Sequence, residues 1–421
     1  MTTVDTVVIG AGHAGLAVSR LLSAAGRDHV VLDRGRVGER WRTERWDSLH
    51  LLTPSWMTRL PGWSYEGPDP DGYLSAGAFV DHLEAYAASF GAPVEGGTTV
   101  EQVRVSGGGG SRYAVATDRG TWQADNVVIA TGPHGIPRIP AGLARDDVFT
   151  SSEYRNPGQL PDGGVLVVGA SSSGVQIADE LTRAGRKVVL AVGRHTRMPR
   201  RYRGVDIFWW LETTGRLARN IDDMRDPVAA RQEPSLQLMG GACTQRSAPD
   251  IDLGLLQARG VRLAGRLTRV SGRMAEFGDD LVDNVADADQ AMHRLLGRVD
   301  AFVERSGLTR EVWPGVWPTP VRIDPQPRRL DLRAEGIGSV VVAAGFRPHH
   351  PWLRLPVTGP DGSIRQHRGV TAAPGVYTVG QRFQHRRDSH LIDGARHDAR
   401  DVVRHLLGEG ADCRSIEESL T

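Results

Sequence analysis

The residues of this sequence best suited to chemistry sit in two short glycine-rich turns. Gly10-Ala11-Gly12-His13-Ala14-Gly15 follows the apolar run Val7-Val8-Ile9 and precedes a helix-like segment from Leu16 to Ala25. In such a turn the first glycine permits a tight bend. The second lets backbone approach a pyrophosphate, and the third lets helix and strand pack closely. Free N–H groups and the positive end of the helix dipole then face the phosphates. His29 to Leu32 reads as the next strand and ends at Asp33. That is close to the roughly 20-residue spacing at which an acid accepts hydrogen bonds from ribose hydroxyls. A carboxylate there repels a 2′-phosphate, so this turn is expected to take FAD or NAD. The plainer alternative, a glycine turn beside an ordinary surface aspartate, is disfavoured by the strand–turn–helix setting.

The second turn is Gly169-Ala170-Ser171-Ser172-Ser173-Gly174, after the strand-like Val165 to Val168. Serine replaces the middle glycine and adds a hydroxyl donor. After the next strand, Val188 to Val192, no acid appears. Arg194-His195-Thr196-Arg197 follows instead, then Arg200, Arg201 and Arg203. Guanidinium is a planar fork suited to phosphate. Arg194 is therefore expected to hold a 2′-phosphate, which indicates NADPH, while the later arginines could belong to a solvated basic surface. One acid-ended and one arginine-ended site together imply hydride transfer from NADPH onto a bound FAD.

The elements that must position these turns form an internal parallel. Each turn opens a βαβ unit, which predicts an α/β protein with two dinucleotide-binding, Rossmann-like domains. Val127-Val128-Ile129-Ala130-Thr131-Gly132 resembles Val340-Val341-Val342-Ala343-Ala344-Gly345, and both read as the last strands of their domains. The NADPH domain is expected to be inserted into the FAD domain. The FAD domain would comprise 1–155 and 346–421, and the NADPH domain 156–345 with a helical insertion near 286–305. Met292, Leu295, Leu296, Val299, Phe302 and Val303 fall at helical spacing, so that helix is expected to pack on the second domain. Gly107 to Gly110 reads as a hairpin tip, and Pro314 to Pro327 as an irregular surface crossing.

Composition removes several alternatives. The chain has 421 residues and a net charge of +1, which gives no reason to expect nucleic acid. No apolar run approaches the ~18 residues of a spanning helix, and the start at Val4 to Ile9 reads as a strand, so a cytoplasmic protein without a membrane partner is expected. Cys243 and Cys413 lie far apart, which excludes a Cys-x-x-Cys redox pair. Lys187 is the only lysine, so the basic chemistry is arginine chemistry. His385 and His390 lack a third ligand at suitable spacing, and no metal is expected.

Further motifs carry a resemblance. Gly38-Glu39-Arg40-Trp41, Leu52-Thr53-Pro54, Ala130-Thr131-Gly132, Ser151-Ser152-Glu153-Tyr154, Arg200-Arg201-Tyr202-Arg203-Gly204, Ile207-Phe208-Trp209-Trp210 and Ala344-Gly345-Phe346-Arg347-Pro348 join the glycine turns. Together they make nearly the whole chain similar to the flavin-containing monooxygenase group, the class B flavoprotein monooxygenases, in its bacterial CzcO-type branch. The resemblance implies that reduced flavin captures O2 as a C4a-peroxide, that NADP⁺ stays bound, and that a nitrogen, sulfur or carbonyl compound is oxygenated. It implies Arg40 and Trp41 near the FAD phosphates, Val100 at the adenine through its backbone, and Arg34, Thr131 and Gly132 in the same binding set. Thr53, Gly380 and Gln381 would lie near the isoalloxazine. The group's linker fingerprint, F-x-G-x-x-x-H before an aromatic residue, is altered: with Tyr154 as that aromatic, Thr150 stands for the histidine and Asp146 for the glycine.

The leading expectation is an NADPH-dependent FAD monooxygenase acting with O2 on a small lipophilic substrate. The altered fingerprint motivates a second, an NADPH-dependent flavin oxidoreductase or oxidase without oxygen transfer. A third is a non-catalytic FAD/NADPH-binding regulator. Phe208-Trp209-Trp210 with Trp56 and Trp63 reads as core before substrate wall. The polar segment Gln384 to His390 reads as a flavin-edge element or a solvated loop. Oligomeric state is open, a homodimer included.

Overall fold

The computed structural model describes residues 1–107, 110–143, 148–233, 236–238 and 250–408, with backbone alone at 236–238. Asp146, Cys243 and Cys413 lie outside the described residues. Two parallel-cored sheets organise the chain. In the first, the central strands run in the order Val376–Thr378, Gly120–Ile129, Thr2–Ile9, His29–Leu32 and Val94–Glu95, all parallel. In the second the order is Val148–Thr150, Ile337–Val342, Gly164–Val168, Val188–Ala191 and Arg262–Ala264, again all parallel. Strands flanked on both edges and covered on both faces lose the apolar–polar alternation. That is why Val7-Val8-Ile9 and Val165 to Val168 are uniformly apolar and buried.

Four strands of each sheet therefore share one order, which bears out the internal parallel seen in the sequence; the fifth comes last in the chain in the first sheet, Val376–Thr378, and first in the second, Val148–Thr150. Each glycine turn leads into a helix, His13–Ala24 in the first domain and Ser172–Arg183 in the second. After the second sheet the chain returns to the first. Val376–Thr378 pairs with Gly120–Ile129, and the helix Ile392–Leu407 packs Ala395, Ala399, Val402 and Val403 into the core that holds Leu21 and Leu22.

Three expectations need correction. The strand ending at Ile129 is not the last of its sheet, because Val376–Thr378 follows it in the chain and pairs beyond it; the strand ending at Val342 is the last of the second sheet in the chain, with the earlier Val148–Thr150 at its outer side. Runs that short carry no periodic signal. Val148–Thr150, which the boundary at 155/156 assigned to the first domain, hydrogen-bonds within the second sheet. The expected helix, near 286–305, begins earlier, at Leu281, and besides residues within 156–345 it meets Met57 of the first domain. Leu281 and Val285 join the second-domain core, whereas Met292, Leu295, Leu296, Val299 and Val303 pack with Met57, Tyr202, Phe208 and Trp210 in a separate cluster.

The aromatic residues divide accordingly. Trp210 is fully buried and donates its indole N–H to the Tyr202 carbonyl at 2.8 Å, as core residues of this type must. Trp56 borders the same cluster, but Trp63 packs in the first-domain core. Val100–Val105 runs antiparallel to Tyr113–Thr117 on either side of the expected 107–110 tip, of which 108 and 109 lie outside the described residues. The 314–327 crossing is irregular. No helix among the described residues is long and apolar enough to cross a membrane.

Candidate functional site

Both glycine turns open onto one cleft of about 2620 Å³ between the sheets. In the first turn a Cβ on Gly15 would stand 1.9 Å from the Gly10 carbonyl oxygen, so helix and turn touch through backbone. The second turn repeats this, with a Cβ on Gly174 only 1.7 Å from the Gly169 oxygen. Gly12 differs: it caps the helix in extended backbone, faces the cleft, and a Cβ there would meet nothing within 4 Å. Neither helix has a side-chain cap at its start, Gly12 or Ser171, so the first-turn N–H groups point outward for an anion.

The sequence-predicted residues converge here. Gly10, Gly12, Asp33, Arg34, Arg40, Trp41, Thr53, Val100, Thr131, Gly132, Gly169, Ser171, Ser172, Arg194, Gly380 and Gln381 all line the cleft, while Gly15 and Gly174 stand behind it as packing contacts. Asp33 holds its own turn as well as facing the cleft. One carboxylate oxygen accepts from Ala11 N–H at 2.7 Å and the other from Gly35 N–H at 2.9 Å. Arg34 and Arg40 share Glu44, at 2.6 and 2.7 Å. Trp41 meets Phe79 edge-on, and the Arg45 guanidinium lies 4.9 Å over its ring.

The arginine run after the second turn separates into different roles. Arg194 is exposed, lines the cleft and has no side-chain partner among the described residues. Arg200 is buried, bound to Asp206 at 2.5 Å and to the Leu52 carbonyl at 2.6 Å, and stacked on Tyr73. Arg203 is held by Asp300 at 2.7 Å, and Arg197 pairs with Asp252 at 2.6 Å and with Asp289. These three are structural, and a basic surface is not their role.

Several cleft residues escaped the sequence reading. Arg266 follows the edge strand Arg262–Ala264 of the second sheet, and its Nε lies 3.8 Å from where a Gly193 Cβ would be, which puts it beside Arg194. Arg45 faces the cleft with its pKa lowered to about 10, by burial first and by Arg40 next. A cation kept in such a place favours an anionic ligand. Burial holds His13 down at about 4. Burial, then Arg382, Arg387 and His13, holds His390 at about 3. Burial, then Arg45 and Arg40, holds His134 at about 3. All three line the cleft as neutral imidazoles.

His13 Nε2, His390 Nδ1, Gln381 Nε2 and Gln176 Oε1 are buried without a hydrogen-bond partner among the described residues, and all belong to cleft residues. Buried polar atoms normally find partners. Together with the open space over Gly12, they fit a polar ligand along both turns. The segment Gln384 to His390 is not a solvated loop: Gln384, Asp388 and Ser389 are buried, and His390 reaches the cleft.

Thr150 is buried away from the cleft. Its hydroxyl donates to Glu153 at 2.8 Å, and its N–H donates to the same carboxylate at 2.9 Å, closing the turn that leads to Tyr154. Tyr154 in turn donates to Glu180 at 2.7 Å on the second-domain helix.

The profile of the pyridine nucleotide-disulphide oxidoreductase family matches residues 7–210. The chain is 31% identical over 411 residues to the CzcO-like oxidoreductase of Geobacillus kaustophilus, covering 96% of this chain and 98% of that protein. It is 33% identical over 213 residues to the rice indole-3-pyruvate monooxygenase YUCCA1, covering 48% of this chain and 51% of that protein. In fold it is similar to the flavin-containing monooxygenase of Stenotrophomonas maltophilia, with a TM-score of 0.65 and 21% identity over 98% of this chain and 100% of that one.

Proposed function

The chain belongs to the CzcO-like oxidoreductases of the flavin-containing monooxygenase type, and from that premise we propose that it oxygenates a small, lipophilic nitrogen, sulfur or carbonyl compound with O2 and NADPH. It is an FAD-containing oxidoreductase with FAD and NADPH as cofactors. The observation that carries the finer reading is the single cleft: both turns, with an apolar wall that includes Phe208, Leu211, Leu217 and Leu295, open onto the same space. Electron donor, flavin and an apolar substrate can therefore meet without leaving the protein.

The bound flavin, once reduced, supplies the activation of O2. The protein supplies position. We assign the Gly10–Gly15 turn, Asp33, Arg34, Arg40, Trp41, Val100, Thr131 and Gly132 to FAD, with Arg45 as an added cation near its phosphates. Gly380, Gln381 and Thr53 are assigned to the flavin face, and His13 and His390 act there as neutral hydrogen-bonding groups. Gly169, Ser171, Ser172 and Gly174 take the NADPH pyrophosphate, and Arg194 with Arg266 takes its 2′-phosphate. Arginine gives a fork of donors matched to that group. The FAD domain is built from the first sheet and the C-terminal return, and we place the protein in the cytoplasm.

The test is stoichiometric. Methyl phenyl sulfide, NADPH and O2 are mixed with the holoenzyme, and sulfoxide, hydrogen peroxide and NADPH are counted. Sulfoxide matching NADPH consumed supports oxygenation. Hydrogen peroxide matching NADPH, with no sulfoxide or other oxygenated product across amine, sulfide and ketone probes, refutes it. That second outcome is the oxidase reading, which one observation favours: Thr150, at the fingerprint histidine's place, is committed to its own turn and does not face the cleft.

A further inference from the structure

The cleft carries an excess of arginine that the two dinucleotide turns do not use. Arg216, Arg219, Arg294, Arg298, Arg382 and Arg387 line it. Three segments bring them together. Arg294 and Arg298 are one turn apart on the long helix and share a face. Arg216 and Arg219 follow the short helix Ile207–Thr213. Arg382 and Arg387 lie on the loop that also carries Gln381 and His390. That loop is stitched to the second segment, since Arg387 N–H donates to the Arg219 carbonyl at 2.9 Å and Asp388 N–H to the Leu217 carbonyl at 3.3 Å.

Acid balances this charge only in part: Asp287 lines the cleft two turns before Arg294 on the long helix, and Glu233 lines it as well. Glu233 is bound to Arg387 at 2.5 Å. Among the described residues, Arg216, Arg219, Arg294 and Arg298 have no side-chain hydrogen bond or ion pair. The guanidinium groups are close enough to oppose one another's charge: burial lowers Arg216 first, then Arg298, Arg219 and Arg387 lower it further, against Glu233. Arg382 is lowered by burial and by Arg387. Like charges gathered in a cleft are costly unless an anion neutralises them.

Apolar residues alternate with the cations. Leu217 follows Arg216, Leu295 follows Arg294, and both leucines line the cleft and belong to the cluster around Trp210. The wall thus offers apolar contact and a guanidinium fork side by side. We infer that the substrate is an apolar-bodied carboxylate, its anionic end held by Arg216 and Arg298 with Arg387 and its apolar body laid against Leu217 and Leu295, an inference that rests on the oxygenation reading above. A neutral amine or sulfide would leave the guanidinium groups without a counter-charge.

A matched pair of probes tests this, 4-(methylsulfanyl)benzoate and its methyl ester. Both carry one sulfide, and they differ by one charge. Titration calorimetry on the FAD-loaded protein saturated with NADP⁺ should give the acid a dissociation constant lower than the ester's by about tenfold or more. Arg216→Gln and Arg298→Gln should each erase most of that preference. Arg298 is exposed, so its variant folds, and an unchanged melting temperature verifies this. An ester that binds as tightly as the acid, no binding of either probe, or a preference that survives both substitutions overturns the inference. Turnover separates it from the parent reading. The balanced reaction is sulfide, O2, NADPH and H⁺ giving sulfoxide, NADP⁺ and water. Sulfoxide from the ester at the acid's affinity leaves oxygenation standing and removes the anion site. Arginine-dependent binding of the acid with no sulfoxide from either probe does the reverse.

Discussion

Replacing Gly12 by alanine separates what the fold needs from what the cofactor needs. Gly12 has φ −84° and ψ −178°, a conformation open to any residue, and an added Cβ meets nothing within 4 Å. Two small terms act on the cofactor-free protein. Alanine restricts the unfolded chain and stabilises by about 0.4–1 kcal/mol. Alanine is a poorer N-cap than glycine, which costs about 0.5–1 kcal/mol. They nearly cancel, so the apoprotein should unfold within about 0.5 kcal/mol of wild type in urea. The ligand meets a different situation. A methyl group placed where phosphate oxygens approach the backbone overpacks that contact by about 1–3 kcal/mol. The FAD dissociation constant should then rise about 5- to 150-fold, read by quenching of flavin fluorescence on titration into apoprotein. Equal FAD affinity in Gly12→Ala and wild type would show that no phosphate crosses Gly12 and would refute the placement. A large loss of apoprotein stability would refute the claim that the space is empty without ligand.

Gly174→Ala should behave in the opposite way: its Cβ falls 1.7 Å from a backbone oxygen, so the second domain loses upward of about 3 kcal/mol and NADPH binding fails with it, as differential scanning calorimetry and NADP⁺ titration would register. Arg194→Ala should raise KM for NADPH by about 10- to 100-fold while leaving NADH nearly unchanged, with Arg266→Ala shifting it in the same direction; equal effects on both nucleotides would remove the 2′-phosphate assignment. Burial pushes the Asp398 carboxyl up to about 7, against an ordinary value of 3.8. The folded state holds that proton longer than the unfolded state, so the contribution is complete below 3.8, falls as pH rises toward about 7, and is then flat. Asp398→Asn should remove this slope, a difference on the order of 4 kcal/mol between pH 4 and 8 in urea unfolding, and an unaltered pH profile would refute it.

The turns were legible because their logic is local. Strand, glycine spacing, helix and the residue after the next strand all fall within one βαβ unit, and Asp33 and Arg194 stand where that unit puts them. The arginines beyond Arg194 were not legible, because their meaning depends on distant acids. Arg203 reads as surface charge until Asp300 arrives from the long helix, and Arg197 until Asp252 and Asp289 do. Arg266 was hidden for the same reason, since only the parallel pairing of Arg262–Ala264 with Val188–Ala191 carries it to Gly193. The short strands Val148–Thr150 and Val376–Thr378 have no periodicity to detect. Their places follow from the edges they complete.

The position of those short strands sets an order of events during synthesis. Val148–Thr150 and Ile337–Val342 are neighbours, so the second sheet is complete once the chain has emerged to residue 342. The first sheet begins earlier and finishes later, because Gly120–Ile129 waits for Val376–Thr378 and the helix His13–Ala24 waits for Ile392–Leu407. At about 5–20 residues per second, that wait lasts on the order of tens of seconds. Through it, Leu21 and Leu22 lack the cover of Val402 and Val403. The first strands of the first sheet are thus the last to be covered, and the nascent chain exposes the apolar flank of its first glycine-turn helix until residues 392–407 have been made.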